Sequence, residues 1–117
     1  MKKEILGLSE YITIIGPKGK MKRVLARVDT GATKSSVDVK ISAELQLGPI
    51  LKQKRVKSAS GNHIRPVVMV KVRIKDKILN EEFTIADRSH MKYKVLLGQN
   101  VLKHGYLIDP LKKTKKR

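Results

Sequence analysis

The sequence contains no cysteine and no tryptophan. Without cysteine there can be no disulfide and no thiolate metal site, and a reducing compartment suits the chain. Only four aromatic residues are present, Tyr11, Phe83, Tyr93 and Tyr106. Val, Ile and Leu must therefore build the core. No apolar run is long enough to cross a bilayer as a helix. The opening Met1-Lys2-Lys3-Glu4-Ile5-Leu6-Gly7-Leu8 is too short for a secretory leader, and Glu4, Ser9 and Glu10 interrupt it. Together these absences point to a cytoplasmic protein with no membrane partner.

Acidic residues are also scarce. There are 10 Asp and Glu against 27 Lys and Arg, for a net charge of +17. The end, Lys112-Lys113-Thr114-Lys115-Lys116-Arg117, is almost wholly cationic, yet the rest of the chain is strongly basic too. Such a surface attracts polyanions: nucleic acid, ribosomes, anionic lipid or an acidic peptide. It also describes an ordinary lysine-rich solvated surface. At 117 residues the chain suits one domain. We expect it to fold over residues 1–110, with a basic, disordered tail at 111–117.

Tyr11 to Ile15 is rich in β-formers and stops at the turn sequence Gly16-Pro17-Lys18-Gly19-Lys20. Val24 to Val28 follows, and the pair reads as a hairpin leading to Asp29. Ser36 to Val39 suits a short strand. Ile41 to Leu47 suits one or two helical turns, ended by Gly48-Pro49. The segment from Ile50 to Val56 leads to a polar patch at Ser58 to His63, which reads as a loop tip between strands. In the next strand Val68, Val70, Val72 and Ile74 share one face, while Lys71, Arg73 and Lys75 take the other. Phe83 and Ile85 alternate with Glu82 and Thr84. Tyr93 to Leu97 is a further strand, Gln99 to His104 a short helix, and Tyr106 to Ile108 a last strand. Short strands with regular turns indicate an all-β barrel or sandwich.

Chemistry concentrates at Asp29-Thr30-Gly31-Ala32, directly after a strand. Asp29 supplies a carboxylate able to act as general acid or base. Thr30 has a hydroxyl that can brace the loop, Gly31 permits close backbone approach, and Ala32 leaves space for a peptide. The same residues also make an ordinary turn after a strand. A second segment, Leu96-Leu97-Gly98 followed by Gln99-Asn100-Val101-Leu102, places a buried-looking strand before a glycine and a short helix.

With these two segments, and a hairpin between them, the chain resembles the retropepsin family of aspartic peptidases. It is most similar to the prokaryotic retropepsin-like proteins associated with the glutamate ligase of ribosomal proteins, often labelled ATP-dependent zinc proteases. Val28 to Ser36, Ile64 to Val68 and Ala86 to Leu102 carry the resemblance. It implies a small closed β-barrel with one short helix near the C-terminus. Asp29 would be the catalytic residue, Thr30, Gly31 and Ala32 its supporting loop, and Leu96, Leu97 and Gly98 the packing behind it. It also implies a flap at Ser58 to Pro66, with Ser60, Gly61, Asn62, His63 and Arg65 as candidates to meet substrate. An ordinary hairpin loop fits that stretch equally. Retroviral relatives carry an acid at the place of Thr33 and an Arg at the place of Gln99, so that ion pair is absent here.

The implied mechanism needs two carboxylates sharing one water and one proton. Two like charges at close range cannot both ionise readily, so such a pair titrates in two separated steps. One copy of the motif is present; Asp38, Asp76, Asp87 and Asp109 lack the following Thr-Gly. A homodimer would bring the second Asp29. Neither zinc nor ATP is expected, and no cofactor. His63, His90 and His104 are widely spaced, there is no His-Glu-x-x-His, and no phosphate-binding glycine loop is present. The leading expectation is an aspartic endopeptidase acting on acidic or glutamate-rich peptides. The alternative is a non-catalytic basic module for RNA or the ribosome, which the scarcity of aromatic rings weakens.

Overall fold

The computed structural model describes residues 3–59 and 61–114. Its strands are β1 (Glu4–Leu6), β2 (Ser9–Ile15), β3 (Met21–Val28), β4 (Ser35–Asp38), β5 (Ile50–Ser58), β6 (Gly61–Ile74), β7 (Lys77–Ala86), β8 (Val95–Leu97) and β9 (Tyr106–Ile108). Two short helices, α1 (Val39–Glu44) and α2 (Gln99–Leu102), complete it. The helix expected near the C-terminus forms as α2. The helical turns expected over Ile41 to Leu47 form slightly earlier, because the Asp38 side chain accepts from the Lys40 N–H and caps the helix start.

Strand order explains the shape. The main sheet runs β2-β3-β8-β4-β7-β6-β5, and β6 pairs back onto β2. Six strands therefore close into a barrel, and β5 lies outside the closed circuit. The predicted β2–β3 hairpin is antiparallel, from Ser9↔Arg27 to Ile15↔Met21. Its turn closes with the Gly16 N–H on the Lys20 carbonyl at 2.7 Å, and Gly19 takes φ +90°, a conformation that favours glycine.

β6 serves two purposes along its 14 residues. Its later part, Lys71 to Arg73, pairs with β2 and closes the barrel. Its earlier part, up to Pro66, pairs only with β5, and the two strands project as a hairpin. Alternation in β6 is as predicted: Val68, Val70, Val72 and Ile74 are buried, and Met69, Lys71 and Arg73 are exposed. Phe83 is fully buried against this valine face. Thr84 is buried as well, because β7 lies between β6 and β4 and its hydroxyl donates to the Ser35 carbonyl at 3.4 Å.

The strand expected over Tyr93 to Leu97 begins only at Val95. Side chains hold the preceding residues as a loop instead. Arg88 Nε donates to the Tyr93 carbonyl at 3.0 Å, and Lys94 Nζ donates to the carbonyls of Arg88, Ser89 and Met91 at 2.8–3.1 Å.

The two ends of the chain meet. β1 and β9 form a separate parallel pair, Glu4↔Tyr106 to Leu6↔Ile108. Of the tail expected from residue 111 onward, residues 111–114 are described. Lys112 Nζ donates to the buried Glu10 Oε1 at 2.6 Å, and the Thr114 hydroxyl donates to the Ser9 carbonyl at 3.1 Å. Residues 115–117 lie outside the described residues. Among those described, no helix is long and apolar enough to cross a membrane.

Candidate active site

Asp29 stands at the end of β3, where the chain leaves the barrel. Val28 pairs with Leu97 of β8 in parallel register. The Asp29 N–H continues that ladder, donating to the Leu97 carbonyl at 2.9 Å. The loop then turns on the Asp29 carboxylate itself. Its Oδ1 accepts the Gly31 N–H at 2.9 Å, and the Asp29 carbonyl accepts the Ala32 N–H at 3.3 Å. Asp29 is half-buried, while Thr30, Gly31 and Thr33 face solvent.

Behind the loop, α2 is pressed against it. The Gln99 and Asn100 N–H groups donate to the carbonyls of Ala32 and Thr33 at 2.7 and 3.2 Å. A Cβ on Gly98 would collide with the Lys34 carbonyl oxygen and lie 2.8 Å from that of Ala32. Glycine is thus required there by contact with backbone. Gln99, where retroviral relatives carry an Arg, donates from Nε2 to the Thr30 carbonyl at 2.8 Å. A neutral side chain takes over the bracing of the loop.

Ser35 and Asn100 form a polar strut beneath. Ser35 Oγ accepts the Gly98 N–H and donates to Asn100 Oδ1, both at 2.9 Å. Asn100 Nδ2 donates to the Glu82 carbonyl at 2.8 Å. Neither residue was among the sequence candidates. Asn100 lies in the helix segment and Ser35 follows the Asp29 motif, but small polar residues at strand and helix starts carry no distinctive signal.

A cleft of about 390 Å³ opens beside the loop. Gly31, Ala32, Thr33 and Leu96 line one side, and Lys54 to Lys57 with Arg65 of the projecting hairpin line the other. Lys34, Lys54, Arg55, Lys57, Arg65 and Arg88 all contribute, and no acidic residue does. Lys34 pairs with Glu82 at 3.4 Å; among the described residues the other five meet no carboxylate within 4 Å. Arg88 is buried at the cleft floor, and burial lowers its pKa from the usual value. The charge of Arg65 adds to that lowering, and Asp38 opposes it.

The structure thus brings Gly31, Ala32, Leu96 and Arg65 to one cleft, beside Asp29. Leu97 is fully buried behind. Gly61, Asn62 and His63 sit exposed at the hairpin tip, paired across it with Ser58, Lys57 and Val56, and do not line the cleft. Ser60 lies outside the described residues. His104 Nε2 meets Glu81 Oε2 at 2.6 Å, and neither residue lines the cleft. No group of three metal-ligating side chains converges among the described residues.

Residues 38–117 match a family model described as RimB-like, retropepsin-like aspartic endopeptidase RimB. The chain belongs to this family. The match takes in the hairpin, Arg88 and the Leu96-Leu97-Gly98 segment, and begins after Asp29. A curated relative, a probable alpha-L-glutamate ligase from Desulfotalea psychrophila, is 26% identical over 92% of this chain. The chain spans only 28% of that relative's length.

Solved structures share this fold. A Legionella pneumophila protein of unknown function superposes with TM-score 0.65 at 21% identity, covering 95% of this chain and 96% of that one. The EIAV protease in complex with an inhibitor gives 0.66 at 18% identity, covering 81% and 84%. A retropepsin-like aspartic protease from Rickettsia conorii gives 0.57 at 16% identity, covering 82% of each chain. Both expectations, the retropepsin-like family and the closed β-barrel, are met.

Proposed function

We propose that this chain is one subunit of a homodimeric aspartic endopeptidase in which Asp29 is the catalytic carboxylate. The observation carrying this reading is the bracing of the Asp29 loop. Leu97, Gly98 and Gln99 hold it from behind, while its outer face stays open beside a cleft. A loop fixed on one side and exposed on the other suits a second copy meeting it across a twofold axis. Two Asp29 carboxylates would then share one proton. The ionised one takes a proton from the attacking water, and the protonated one polarises the scissile carbonyl. The projecting β5–β6 hairpin is suited to close over the bound peptide and exclude water.

The preferred substrates are acidic peptides, including glutamate-rich ones. Six cations, and no acid, among the residues that line the cleft support this. Similarity to a probable glutamate ligase is consistent with a glutamate-rich target. The lack of cysteine fits a cytoplasmic setting.

The test is hydrolysis of matched acidic and neutral peptides by the parent chain and by Asp29→Asn. The substitution should lower the rate at least about a hundredfold, the scale of a lost general acid–base group. Equal rates in both proteins would remove Asp29 from the mechanism. The basic surface also favours a second reading, a binding module for RNA or the ribosome. That reading requires affinity that falls steeply with salt, and it gains if Asp29→Asn changes nothing.

A further inference from the structure

Two buried residues that line the cleft, Ser36 and Arg88, have hydrogen-bonding capacity to spare. Ser36 is buried, and its Oγ is the one buried side-chain polar atom with no hydrogen-bond partner among the described residues. Arg88 is 7% exposed, yet its guanidinium makes a single hydrogen bond, from Nε to the Tyr93 carbonyl at 3.0 Å. The nearby buried acid does not neutralise it. Asp38 uses Oδ1 on the Arg88 main-chain N–H at 2.7 Å and Oδ2 on the Lys40 N–H at 3.1 Å. No carboxylate lies within 4 Å of the guanidinium among the described residues. Both side chains line the cleft that Gly31 and Ala32 border.

Leaving such groups unpaired is unfavourable. A buried donor or acceptor without a partner costs the desolvation it cannot recover, and more so when charged. An unpaired buried polar atom in a fold calls for an explanation, and completion by a bound group is one. A carboxylate fits this pair by chemistry. It accepts two hydrogen bonds from a planar guanidinium and has a lone pair left for a hydroxyl donor.

We propose that Ser36 and Arg88 form a carboxylate-binding subsite in the cleft floor, and that this subsite selects acidic peptides rather than the exposed cations of the hairpin doing so. The proposal rests on reading the cleft as the peptide cleft. Hairpin residues such as Lys57 are solvated and screened by salt, and they raise affinity for any anion. The floor pair is desolvated, and it discriminates a carboxylate from an amide of the same shape. The carboxylate is either an acidic side chain or the C-terminus of the peptide.

Binding separates this proposal from catalysis. The protein used is Asp29→Asn, which retains the cleft. Fluorescence anisotropy is measured with labelled peptides carrying a run of Glu or a matched run of Gln, each with a free or amidated C-terminus. The Glu peptide should bind about tenfold more tightly than the Gln peptide, the scale of a charge-assisted hydrogen-bond pair. Ser36→Ala and Arg88→Lys should each reduce that ratio at least about threefold, with Gln-peptide affinity unchanged. If amidation instead weakens the Glu and Gln peptides alike, the subsite reads the chain terminus, and the same two substitutions should abolish that effect.

Arg88→Lys removes the bond to Tyr93 and can unfold the loop, so circular dichroism accompanies it. Ser36→Ala removes no hydrogen bond and should leave the unfolding midpoint unchanged or raised, which makes it the decisive variant. The proposal is overturned if Ser36→Ala keeps the parent's full preference, or if the parent shows neither a Glu-to-Gln ratio nor a free-to-amidated ratio. Salt erasing the preference equally in every variant would also overturn it, leaving only a diffuse field. Failure here, with hydrolysis still dependent on Asp29, removes the subsite and leaves the peptidase reading intact.

Discussion

Gly98 has almost no room for a side chain. Its neighbours are backbone atoms of Ala32 and Lys34, which cannot rotate away as a side chain would. Gly98→Ala should therefore destabilise the fold by about 1–3 kcal/mol, the usual cost of overpacking a filled site. Urea denaturation would measure it; an unchanged midpoint would show that the loop yields freely. The same collision pushes on residues 32–34, and hence on the Asp29 loop, so peptide hydrolysis should fall more than stability alone explains. At this scale the sequence is informative where chemistry is confined to one position. An Asp-Thr-Gly-Ala run and a Leu-Leu-Gly run are visible as strings. Ser36 and Arg88 are not, because their significance lies in missing partners, which only the fold reveals. Arg88 in particular reads as one more solvated cation among the 27 Lys and Arg of a basic chain.

Among the elements, the end segment that crosses Gly7 to Glu10 is held by charge. Glu10 is buried, and burial alone would raise its pKa. Lys112, the Gly7 N–H and Lys75 together outweigh burial and hold it below the usual carboxylate value. A carboxyl with a depressed folded-state pKa contributes stability above its unfolded pKa and loses it as pH falls through the folded value. Glu10→Gln should thus destabilise by roughly 1–2 kcal/mol at neutral pH, the range for a hydrogen-bonded charge whose partners can regain water. The difference between the two proteins should shrink as pH drops below the carboxylate range. Thermal melts of both proteins at pH 7 and pH 3 would check the sign, and a gap that widens in acid would contradict it.

Elements with one buried face were legible from residue types. β6 alternates valine with charge because it has one face in the core, and period two follows. β8 was read two residues too long. Its boundary is set by Arg88 and Lys94 donating to main-chain carbonyls, and side chain–backbone bonds of that kind leave no periodic trace. The segment from Leu111 was read as free because it is cationic, but one of its lysines has a buried partner more than 100 residues earlier in the chain.

For the whole molecule, charge and assembly oppose each other. Each chain carries +17, and bringing two together concentrates that charge. The proposed dimer should therefore tighten as salt rises, or when a polyanion such as a glutamate polymer occupies the clefts. Sedimentation velocity across ionic strength reads this directly. A strict monomer under every condition would leave each Asp29 without its counterpart and end the shared-proton mechanism. The count of short strands left barrel and sandwich both open, and it was the resemblance to retropepsins that implied a closed barrel. In the structure closure depends on β6 pairing with β7 along one edge and with β2 along the other.

The pairing of β1 with β9 has a kinetic meaning as well. It joins residues at nearly opposite ends of the described chain, so its ordering entropy is recovered only after the strands between are in place. Three residues on each side form it, outside the closed barrel. It is the contact expected to form last on folding and to open first in the native state. Opening it would loosen Leu8, whose carbonyl accepts the Val28 N–H at 3.0 Å, one residue before Asp29. Local fraying at the chain ends would then reach the candidate carboxylate through a single hydrogen bond, without any unfolding of the barrel.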